Sequence, residues 1–379
     1  MATILVISFS DLKRDPRVHR QIEALRVEHA VLAAGFGDPG LVGVRFIGCK
    51  RSPRRLSKKL TEAFDLFLHR YNTYYWKQSH VAQLDRELKD THFDLAIAND
   101  IEALPIGLKL AKGRPVILDA HEYSPLEFEN EMIWRILFAP YKDMLCRVFM
   151  PRAAMVTTVC QGIADRYAQK YGIRVEVITN ATTFHALSPR PTGGERVRMV
   201  HHGAALAGRR LDAMIDLMEL LDKRFSLDFV LVPGKPECIE WLKCRARGRP
   251  NIRFLDAVPM DQLVTFSSQY DIGVFLLPPT NFNYRMALPN KVFEFIQARL
   301  AIAIGPSPEM ARLVQEFGCG VVAEDFSPES LARALRSLTA EDIDRMKAGS
   351  DRAARIHTAE HNAEKLRGSV VSLLTETRL

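Results

Sequence analysis

The most informative stretch of the sequence is ALPNKVFEFIQARLAIAIG, residues 287–305. Its segment LPN at 288–290 predicts a turn, and Lys291 begins a helix that we expect to end near Arg299. The apolar run Ala301–Ile304 then predicts a buried strand. A helix that leads directly into a buried strand is the repeating unit of a parallel α/β sheet.

Short apolar runs alternate with amphipathic stretches on both sides of this segment. Asp15 and Pro16 fit the N-cap and the first turn of the first helix. The strands predicted in the first half are Thr3–Ser8, Ala30–Ala34, Val44–Ile47, Leu95–Ala98, Val116–Leu118, Met155–Val159 and Val175–Ile178. Those predicted in the second half are Arg198–His202, Leu227–Val232, Ile252–Phe254, Ile272–Leu277, Ala301–Ile304 and Val321–Ala323. This alternation predicts doubly wound, Rossmann-like α/β sheets.

The length of 379 residues exceeds what one compact core usually holds, so two domains are expected. Residues 186–196 (ALSPRPTGGER) combine prolines, adjacent glycines and charge, which is typical of a linker. We therefore expect Rossmann-like domains over residues 1–185 and 197–355, and a C-terminal helix at 356–379 that could pack back on the first domain. Such domains bind ligands at the carboxyl ends of their strands, so we expect the site in the cleft between the two domains.

The composition is that of an ordinary soluble globular protein, with 47% hydrophobic and 26% charged residues. The sequence has no apolar run of about eighteen residues that would span a membrane, and its start is typical of a buried strand rather than of a signal peptide. Six scattered cysteines favour reduced thiols in the cytoplasm. The net charge of +7 favours an anionic partner, but no aromatic-interleaved basic platform indicates nucleic acid.

The first candidate site is LPNKVFEF, residues 288–295, together with the loop Ser307–Met310. The start of the predicted helix offers backbone N–H groups to an anion. Glu294 lies one turn in, where its carboxylate can accept hydrogen bonds from a ribose diol while Lys291 faces phosphate. From spacing alone, a surface turn with a solvated glutamate is the better explanation.

With these residues, however, the sequence resembles glycosyltransferase family 4, whose members are retaining, nucleotide-sugar-dependent enzymes of the GT-B fold. Members have an LPNK-x-x-E-(F/Y) turn and helix, a small-residue strand and an SP-E-M loop. The resemblance implies that Glu294 holds the donor ribose and takes part in catalysis. It also implies that neighbouring residues bind the donor: Asn290, Lys291, Ser307, Glu309 and Met310.

A second match is VHHGAALAGRRL, residues 200–211, where the predicted strand ends at His202 and Gly203 permits close approach of a ligand. The family has a strand and a glycine loop here, followed by a basic residue that neutralises the β-phosphate of the donor. The motif assigns this role to Arg209, whereas counting from the glycine assigns it to Arg210. Without the neighbouring motifs, two solvated arginines before a helix would be the simpler explanation.

The chain departs from the family pattern at two positions. Met286 stands where the family commonly has the first of two glutamates separated by seven residues, and Ala204 stands where it has a further arginine. Lys291 or Arg285 could supply the missing charge. These departures leave open a catalytically degenerate donor-binding scaffold. A nucleotide-sugar 2-epimerase of the same architecture is the other alternative, although it would need a carboxylate where Met286 stands.

In the first domain, PVILDAHE at 115–122 predicts a buried strand that delivers Asp119, His121 and Glu122 at its carboxyl end. A histidine in such a place is more often structural than catalytic. The family has a histidine here that faces the donor sugar, so the resemblance implies a catalytic role for His121. It also implies an acceptor side formed by residues at strand ends: Asp11, Arg17, Asn99, Asp100 and Glu122.

A metal-binding D-x-D motif does not follow any predicted strand. Asp342 to Asp344 lies in TAEDIDRM, which predicts a helix start instead. We therefore expect no metal and no cofactor, because cationic side chains and a helix N-terminus can stabilise a leaving diphosphate. By resemblance, the enzyme moves a sugar with retention from a nucleotide-diphosphate donor to a glycan or lipid-linked acceptor. The expected pathway is polysaccharide, lipopolysaccharide or other glycoconjugate biosynthesis.

The segment Lys50–Lys77 begins with KRSPRRLSKK, which has six basic and no acidic residues. Apolar residues then recur at helical spacing: Leu56, Leu60, Phe64, Phe67, Tyr71 and Tyr74. A helix packed on the first domain with this stripe buried is the plainer explanation. The alternative is a basic, aromatic-tipped helix that lies on an anionic membrane surface. That alternative predicts a cytoplasmic protein that is peripheral on the inner face of the cell membrane.

Overall fold

The computed structural model describes residues 1–50, 56–193, 196–234 and 236–376. The chain divides into two compact units. Unit 1 comprises Met1–Thr179, Asn281–Asn283 and Asn362–Leu379, and unit 2 comprises Asn180–Thr280 and Tyr284–His361.

The described part of unit 1 is built on a seven-stranded parallel sheet with the order β3-β2-β1-β4-β5-β6-β7. Its strands are β1 (Thr3–Asp11), β2 (Ala30–Phe36), β3 (Arg45–Gly48), β4 (Leu95–Asn99), β5 (Val116–Ala120), β6 (Met155–Thr158) and β7 (Glu176–Val177). Its helices are α1 (Pro16–Arg26), α2 (Leu56–Phe67), α3 (Tyr71–Trp76), α4 (Ser79–Leu88), α5 (Leu104–Ala111), α6 (Met132–Phe149) and α7 (Gln161–Tyr171). Asp15 caps α1 as predicted, since its side chain accepts hydrogen bonds from the N–H groups of Arg17 and Val18.

The described part of unit 2 has a six-stranded parallel sheet with the order β10-β9-β8-β11-β12-β13. Its strands are β8 (Val197–Ala204), β9 (Phe225–Val232), β10 (Ile252–Leu255), β11 (Ile272–Phe275), β12 (Ala301–Ile304) and β13 (Gly320–Val322). The helices after residue 197 are α8 (Asp212–Leu220), α9 (Pro236–Arg245), α10 (Leu263–Ser267), α11 (Phe282–Arg285), α12 (Asn290–Gln297), α13 (Pro308–Phe317), α14 (Pro328–Arg336), α15 (Ala340–Ile356) and α16 (Ala359–Glu376).

The central strands of both sheets are buried along their whole length, which explains why they appear in the sequence as continuous apolar runs. Each predicted strand overlaps an observed one, so the predicted pair of doubly wound sheets is confirmed. Leu366 and Val370 of α16 belong to the hydrophobic core of unit 1, together with Ile4 and Val6 of β1.

Each sheet has a switch point beside its first strand. In unit 1, β1 lies between β2 and β4, with Ser8 opposite Asn99. In unit 2, β8 lies between β9 and β11. The connections that leave two such neighbouring strands run to opposite sides of the sheet, so a crevice opens at the carboxyl ends of the strands. Candidate functional residues follow these strands in both units.

The predicted linker at 186–196 is not a separate connection in its described part. Unit 2 begins at Asn180, earlier than predicted, and the segment that follows is hydrogen-bonded to its helices. The backbone N–H of His185 donates to Oε1 of Gln297 at 3.0 Å, and Nζ of Lys347 donates to the carbonyl oxygen of Arg190 at 3.0 Å. Proline and glycine predict irregular backbone, but they do not reveal whether that backbone docks on a neighbouring helix.

In the part of the chain that the structure describes, every helix is either too short or too polar to cross a membrane.

Candidate functional site

Unit 2 brings two cationic side chains together over a glycine at the carboxyl end of β8. Gly203 has a φ of +127°, a conformation that residues with side chains rarely adopt. A Cβ atom at this position would lie 3.3 Å from Nζ of Lys291 and 3.7 Å from Nη1 of Arg209. The bare backbone of Gly203 therefore leaves room for a ligand next to both cations. An anion is the ligand that this arrangement favours.

Lys291 lies in the first turn of α12, directly after Asn290. The N-cap residue, Pro289, has no side-chain acceptor for the first N–H groups of the helix, so these groups add to the positive potential. The side chain of Lys291 is buried. Burial and the nearby Arg209 guanidinium lower the pKa of Lys291 well below its ordinary value, while Glu294 acts in the opposite direction.

The buried side chain of His201, on β8, contacts the ammonium group of Lys291. Nδ1 of His201 lies 2.9 Å from the carbonyl oxygen of Val274. Because a carbonyl oxygen can only accept, Nδ1 holds the proton and Nε2 presents a lone pair. Nε2 lies 3.3 Å from Nζ of Lys291, which donates to it. The same Nζ lies 3.9 Å from the centre of the Phe275 ring, within range of a cation–π interaction.

Glu294 lies one turn further along α12, beside His202. Oε2 of Glu294 is 3.5 Å from Nδ1 of His202, whose ring packs edge-on against Phe295. Burial, together with the charge of Lys291, lowers the pKa of His202 to about 3, so the ring is neutral. Nε2 of His202 is buried and makes no hydrogen bond to any residue that the structure describes. Since buried polar atoms are normally paired, this nitrogen is an orphaned group at the candidate site.

Helix α13 begins after β12, at the same edge of the sheet as α12. Ser307 is its N-cap residue, and the buried Oγ of Ser307 has no hydrogen-bond partner among the described residues. Oε2 of Glu309 accepts a hydrogen bond of 2.7 Å from Arg312. Met310 is fully buried on the apolar face of this helix, and its assignment to the donor site stays a prediction. An amphipathic helix turns that position toward the core.

The structure distinguishes the two arginine candidates. Arg209 ends a short 3-10 turn and lies beside Gly203 and Lys291. Arg210 adopts a φ of +48° and is largely exposed. Its guanidinium pairs at 3.0 Å with Asp212, the first residue of α8. Arg209 is therefore the arginine available to a ligand at the end of β8, and Arg210 belongs to the start of α8.

The two departures from the family pattern lie close to this site in the sequence. Of the two residues that could supply the charge missing at Ala204, Lys291 lies next to Gly203, and Arg285 is exposed on α11. Met286 is half-buried between α11 and α12 and brings no carboxylate. Asn290, the first residue of α12, is half-buried.

In unit 1, Arg17 and Asp119 form a buried ion pair at the carboxyl end of the sheet. Nε of Arg17 donates to Oδ2 of Asp119 at 2.8 Å, and Nη2 donates to Oδ1 at 2.7 Å. Nη1 of Arg17 donates to the carbonyl oxygens of Ile178 and Thr179, and Oγ1 of Thr157 donates to Asp119. Arg17 was expected on the acceptor side, but these bonds use its guanidinium to hold Asp119 and the end of β7.

His121 lies next to this pair, after β5. Nε2 of His121 is 3.1 Å from Oδ1 of Asn99 and 3.5 Å from Oδ2 of Asp119, and Nδ1 is 3.5 Å from Oδ2 of Asp100. Burial lowers the pKa of His121, but the carboxylates of Asp100 and Asp119 outweigh burial and raise the pKa to about 9. His121 is therefore an imidazolium at neutral pH. The structure brings Asn99, Asp100 and His121 together, as the order of their strands requires.

A group of carboxylates surrounds Lys142 near Glu122. The buried Nζ of Lys142 pairs with Glu102 and lies 3.1 Å from Oε2 of Glu127. Glu122 is exposed at the surface of unit 1, yet partial desolvation and the carboxylates of Glu127 and Asp100 raise its pKa to about 7. A carboxyl group with such a pKa can exchange a proton near neutral pH.

Three further acidic positions have local structural roles. Asp11 is exposed after β1, and its Oδ1 accepts a hydrogen bond of 3.3 Å from the N–H of Lys13. Asp342 forms a capping box with Thr339 at the start of α15, as the predicted helix start requires, and Asp344 accepts from the N–H of Thr192. Within the described ranges, no group of three or more His, Cys, Asp or Glu side chains could hold a metal ion.

Helix α2 exposes the apolar residues that the plainer explanation expected to be buried. Leu60 is 65% exposed, Phe64 is 57% exposed and Phe67 is 66% exposed. The prediction of a buried stripe is therefore wrong for α2. Of the basic residues at its start, Arg51, Arg54 and Arg55 lie outside the described residues.

The second part of the same stripe does pack on unit 1. The rings of Tyr71 and Tyr74 lie against Tyr141 of α6. Tyr75 is buried, and its hydroxyl donates to the carbonyl oxygen of Glu102 at 2.8 Å. The stripe thus changes from exposed to buried between α2 and α3.

Sequence reasoning missed the roles of His201, His202 and Asp119. A usable signal was present for the histidines, because two adjacent polar residues end a predicted buried strand just before Gly203. Buried polar side chains need partners, so such a pair at a strand end marks a hydrogen-bonded site. For Asp119, the signal is similar: it is the only charged residue within the apolar run of residues 115–120.

The comparisons with known proteins agree with this architecture. Residues 18–185 match the model of Glycosyltransferase Family 4, and no curated protein matches the sequence. Sucrose-phosphate synthase from Thermosynechococcus elongatus has a similar structure, with a TM-score of 0.79 and 13% identity over 99% of this chain and 100% of that chain. The α,α-trehalose-phosphate synthase (UDP-forming) from Burkholderia vietnamiensis has a TM-score of 0.73 and 13% identity over 100% and 99%. HepE from Anabaena, in complex with UDP-glucose, has a TM-score of 0.71 and 13% identity over 98% and 100%.

The structural similarity extends over nearly the whole chain, and the family match lies mainly in unit 1. The prediction of the fold is thereby confirmed: the chain shares the GT-B fold of these structures, and its residues 18–185 match the model of Glycosyltransferase Family 4.

Proposed function

We propose that unit 2 binds the donor, a nucleotide-diphosphate sugar, with its diphosphate over Gly203. The observation that carries this proposal concerns the position that a Cβ atom would take at Gly203. Nζ of Lys291 lies 3.3 Å from that position, and Nη1 of Arg209 lies 3.7 Å from it. Two neighbouring cations repel each other, and a diphosphate would relieve this repulsion at both. The start of α12 adds the partial positive charge of its N–H groups at the same place.

We assign the donor ribose to Glu294, whose carboxylate can accept hydrogen bonds from both hydroxyl groups of a diol. Its position one turn after Lys291 supports this, because ribose and diphosphate are adjacent in the donor. The unpaired Oγ of Ser307 and Nε2 of His202 supply further polar atoms at this edge of the sheet. UDP is the first nucleotide to test, since HepE is complexed with UDP-glucose and the Burkholderia enzyme is UDP-forming.

In unit 1, we assign His121 to the transfer step, following the family resemblance. An imidazolium can donate hydrogen bonds to groups that gain negative charge in the transition state. Transfer is proposed to proceed with retention and to need neither metal nor cofactor. The positive side chains Lys291 and Arg209 then stabilise the leaving diphosphate.

The proposed acceptor is a glycan or lipid-linked glycan in polysaccharide or other glycoconjugate biosynthesis, which the protein meets at the cytoplasmic face of an anionic membrane. Support comes from α2, where Leu60, Phe64 and Phe67 are exposed on a helix that follows a basic segment. Exposed apolar residues bury into the headgroup region, and each nearby Lys or Arg adds about 1 kcal/mol of attraction to anionic lipid.

Incubation with UDP- and GDP-sugars labelled in the sugar tests the proposed reaction. We expect transfer to acceptor, or slow hydrolysis of one donor when acceptor is absent. Release of an epimerised sugar would favour the 2-epimerase alternative instead. Tight donor binding without any turnover would favour a donor-binding scaffold.

A further inference from the structure

Two adjacent histidines, His201 and His202, lie near the carboxyl end of strand β8, directly before Gly203. Both are almost fully buried, with 0% and 2% exposure. A buried imidazole is costly unless its nitrogen atoms are paired. Both nitrogen atoms of His201 are paired, and one of their partners is Lys291.

We propose that His201 is a positioning residue that fixes the ammonium group of Lys291 over Gly203, ready for the donor diphosphate. This inference rests on the proposed donor site in unit 2. It concerns how that site is held in place rather than which group touches the ligand.

The geometry of His201 is set by the strand pairing at the switch point. β8 and β11 are neighbours, with Val200 opposite Gly273. The carbonyl oxygen of Val274, the next residue of β11, accepts a hydrogen bond from Nδ1–H of His201. That bond fixes the tautomer in which Nε2 is an acceptor, and Nε2 then accepts a hydrogen bond from one of the three N–H groups of Lys291. A low pKa of His201, caused first by burial and then by Lys291, keeps the ring neutral.

The same strand also supplies the second contact to the ammonium group. Phe275 follows Val274, and its ring centre lies 3.9 Å from Nζ of Lys291. A lone pair and a ring face are both attractive to a cation, yet neither is an anion. They can therefore orient Lys291 without cancelling the charge that a diphosphate needs.

Holding the ammonium group in advance has an energetic consequence for binding. A lysine side chain has about 2 kcal/mol of rotamer entropy, which is lost when the group is fixed. If His201 and Phe275 fix Lys291 before the donor arrives, this cost falls on folding and not on binding. Loss of the His201 acceptor should therefore weaken diphosphate binding even though His201 does not touch the ligand.

The variant His201→Phe tests the inference, because phenylalanine keeps the ring and removes Nε2. The His201 ring lies 5.9 and 5.7 Å from the rings of Phe229 and Phe275, so an aromatic replacement suits this environment. By calorimetry, we expect the Kd for UDP to rise about tenfold, the value of one charge-assisted hydrogen bond. In His201→Gln, the side-chain oxygen can replace Nε2 as the acceptor, so most of the affinity should return. The matched control is His357→Phe, which changes a histidine of unit 2 packed against Phe293 and Phe317 and should leave the Kd unchanged.

A double-mutant cycle separates positioning from a general structural role. In a Lys291→Met background, His201→Phe should cause no further loss of UDP affinity, because its effect passes through Lys291. Equal losses in the two backgrounds would overturn the inference, and so would an unchanged Kd in His201→Phe. If the wild-type protein binds neither UDP nor GDP, the proposed donor site fails and the inference fails with it.

Discussion

The guanidinium group of Arg17 meets the carboxylate of Asp119 through two hydrogen bonds, of 2.8 and 2.7 Å. The pair joins the first turn of α1 to the end of β5. Burial would raise the pKa of Asp119, but Arg17 and His121 outweigh burial and hold this pKa well below its ordinary value. The pair thus fixes the carboxylate that in turn faces His121.

Replacing Arg17 with methionine should lower the free energy of unfolding by about 3–5 kcal/mol. The reason is that Asp119 would remain buried without its partner. Arg14→Met is the matched control, because Arg14 lies in the loop before α1 with its side chain 86% exposed, so its loss should change the free energy of unfolding by less than about 0.5 kcal/mol. Urea unfolding measures both values. Similar stabilities for the two variants would show that the buried pair contributes little.

The variant His121→Gln should change how stability depends on pH. Because the pKa of His121 is raised in the folded state to about 9 from 6.5, protonation of His121 stabilises the fold. That contribution is complete below about pH 6.5 and is lost as the pH rises through about 9. The difference in unfolding free energy between wild type and variant should therefore shrink by at most about 3 kcal/mol over this range. Urea titrations at several pH values test this. A difference that stays constant with pH would mean that the folded state does not favour the imidazolium.

Binding of UDP should be accompanied by uptake of protons at Lys291 at pH values between the pKa of this side chain in the free protein and its higher pKa in the complex. Burial and Arg209 lower the pKa of Lys291, Glu294 opposes them, and the facing His201 and His202 are neutral. A bound diphosphate adds negative charge next to the ammonium group and raises that pKa again. UDP affinity should consequently fall as the pH rises above the pKa of Lys291 in the free protein. Calorimetry in two buffers with different ionisation enthalpies measures the uptake, and Lys291→Met is the control that should show none. Heats that do not depend on the buffer at any pH tested would count against a change in the pKa of Lys291 on binding.

The exposed residues of α2 should mediate binding to anionic vesicles. We expect wild-type protein to sediment with vesicles that contain anionic lipid, and to be released by salt. The triple variant Leu60→Ser, Phe64→Ser, Phe67→Ser should lose this binding. Val371→Ser is the control, since Val371 is 49% exposed on α16. If the triple variant and the control bind anionic vesicles equally well, α2 is not the membrane-binding element.

The strands could be predicted from sequence because strands of a parallel sheet are buried on both faces. Runs such as Leu95–Ala98 and Val116–Leu118 therefore stand out as uninterrupted apolar segments. Their order in the sheet leaves no comparable trace in the sequence. His201 meets Lys291 from 90 positions away, and Arg17 meets Asp119 from 102 positions away. Both contacts depend on which strands are neighbours, so they had to be seen in the structure.

Charge and exposure were harder to predict than the strands. Arg209 and Arg210 are adjacent in sequence, yet their surroundings differ. Arg210 has a φ of +48°, and its guanidinium pairs with Asp212. The apolar spacing of α2 and α3 looks continuous, yet Phe67 is exposed and Tyr75 is buried. Helical periodicity shows that residues share a face, but it does not show what that face contacts.

Unit 2 is proposed to bind a nucleoside diphosphate through the start of α12. Calorimetric titration of UDP into wild type and Glu294→Ala tests it most directly, with Glu316→Ala, an exposed glutamate of α13, as the matched control. Loss of the hydrogen bonds to the ribose should cost about 2–4 kcal/mol of binding free energy in Glu294→Ala, while the control should bind as wild type does. Equal UDP affinity in wild type and in Glu294→Ala, with both proteins folded, would contradict the claim.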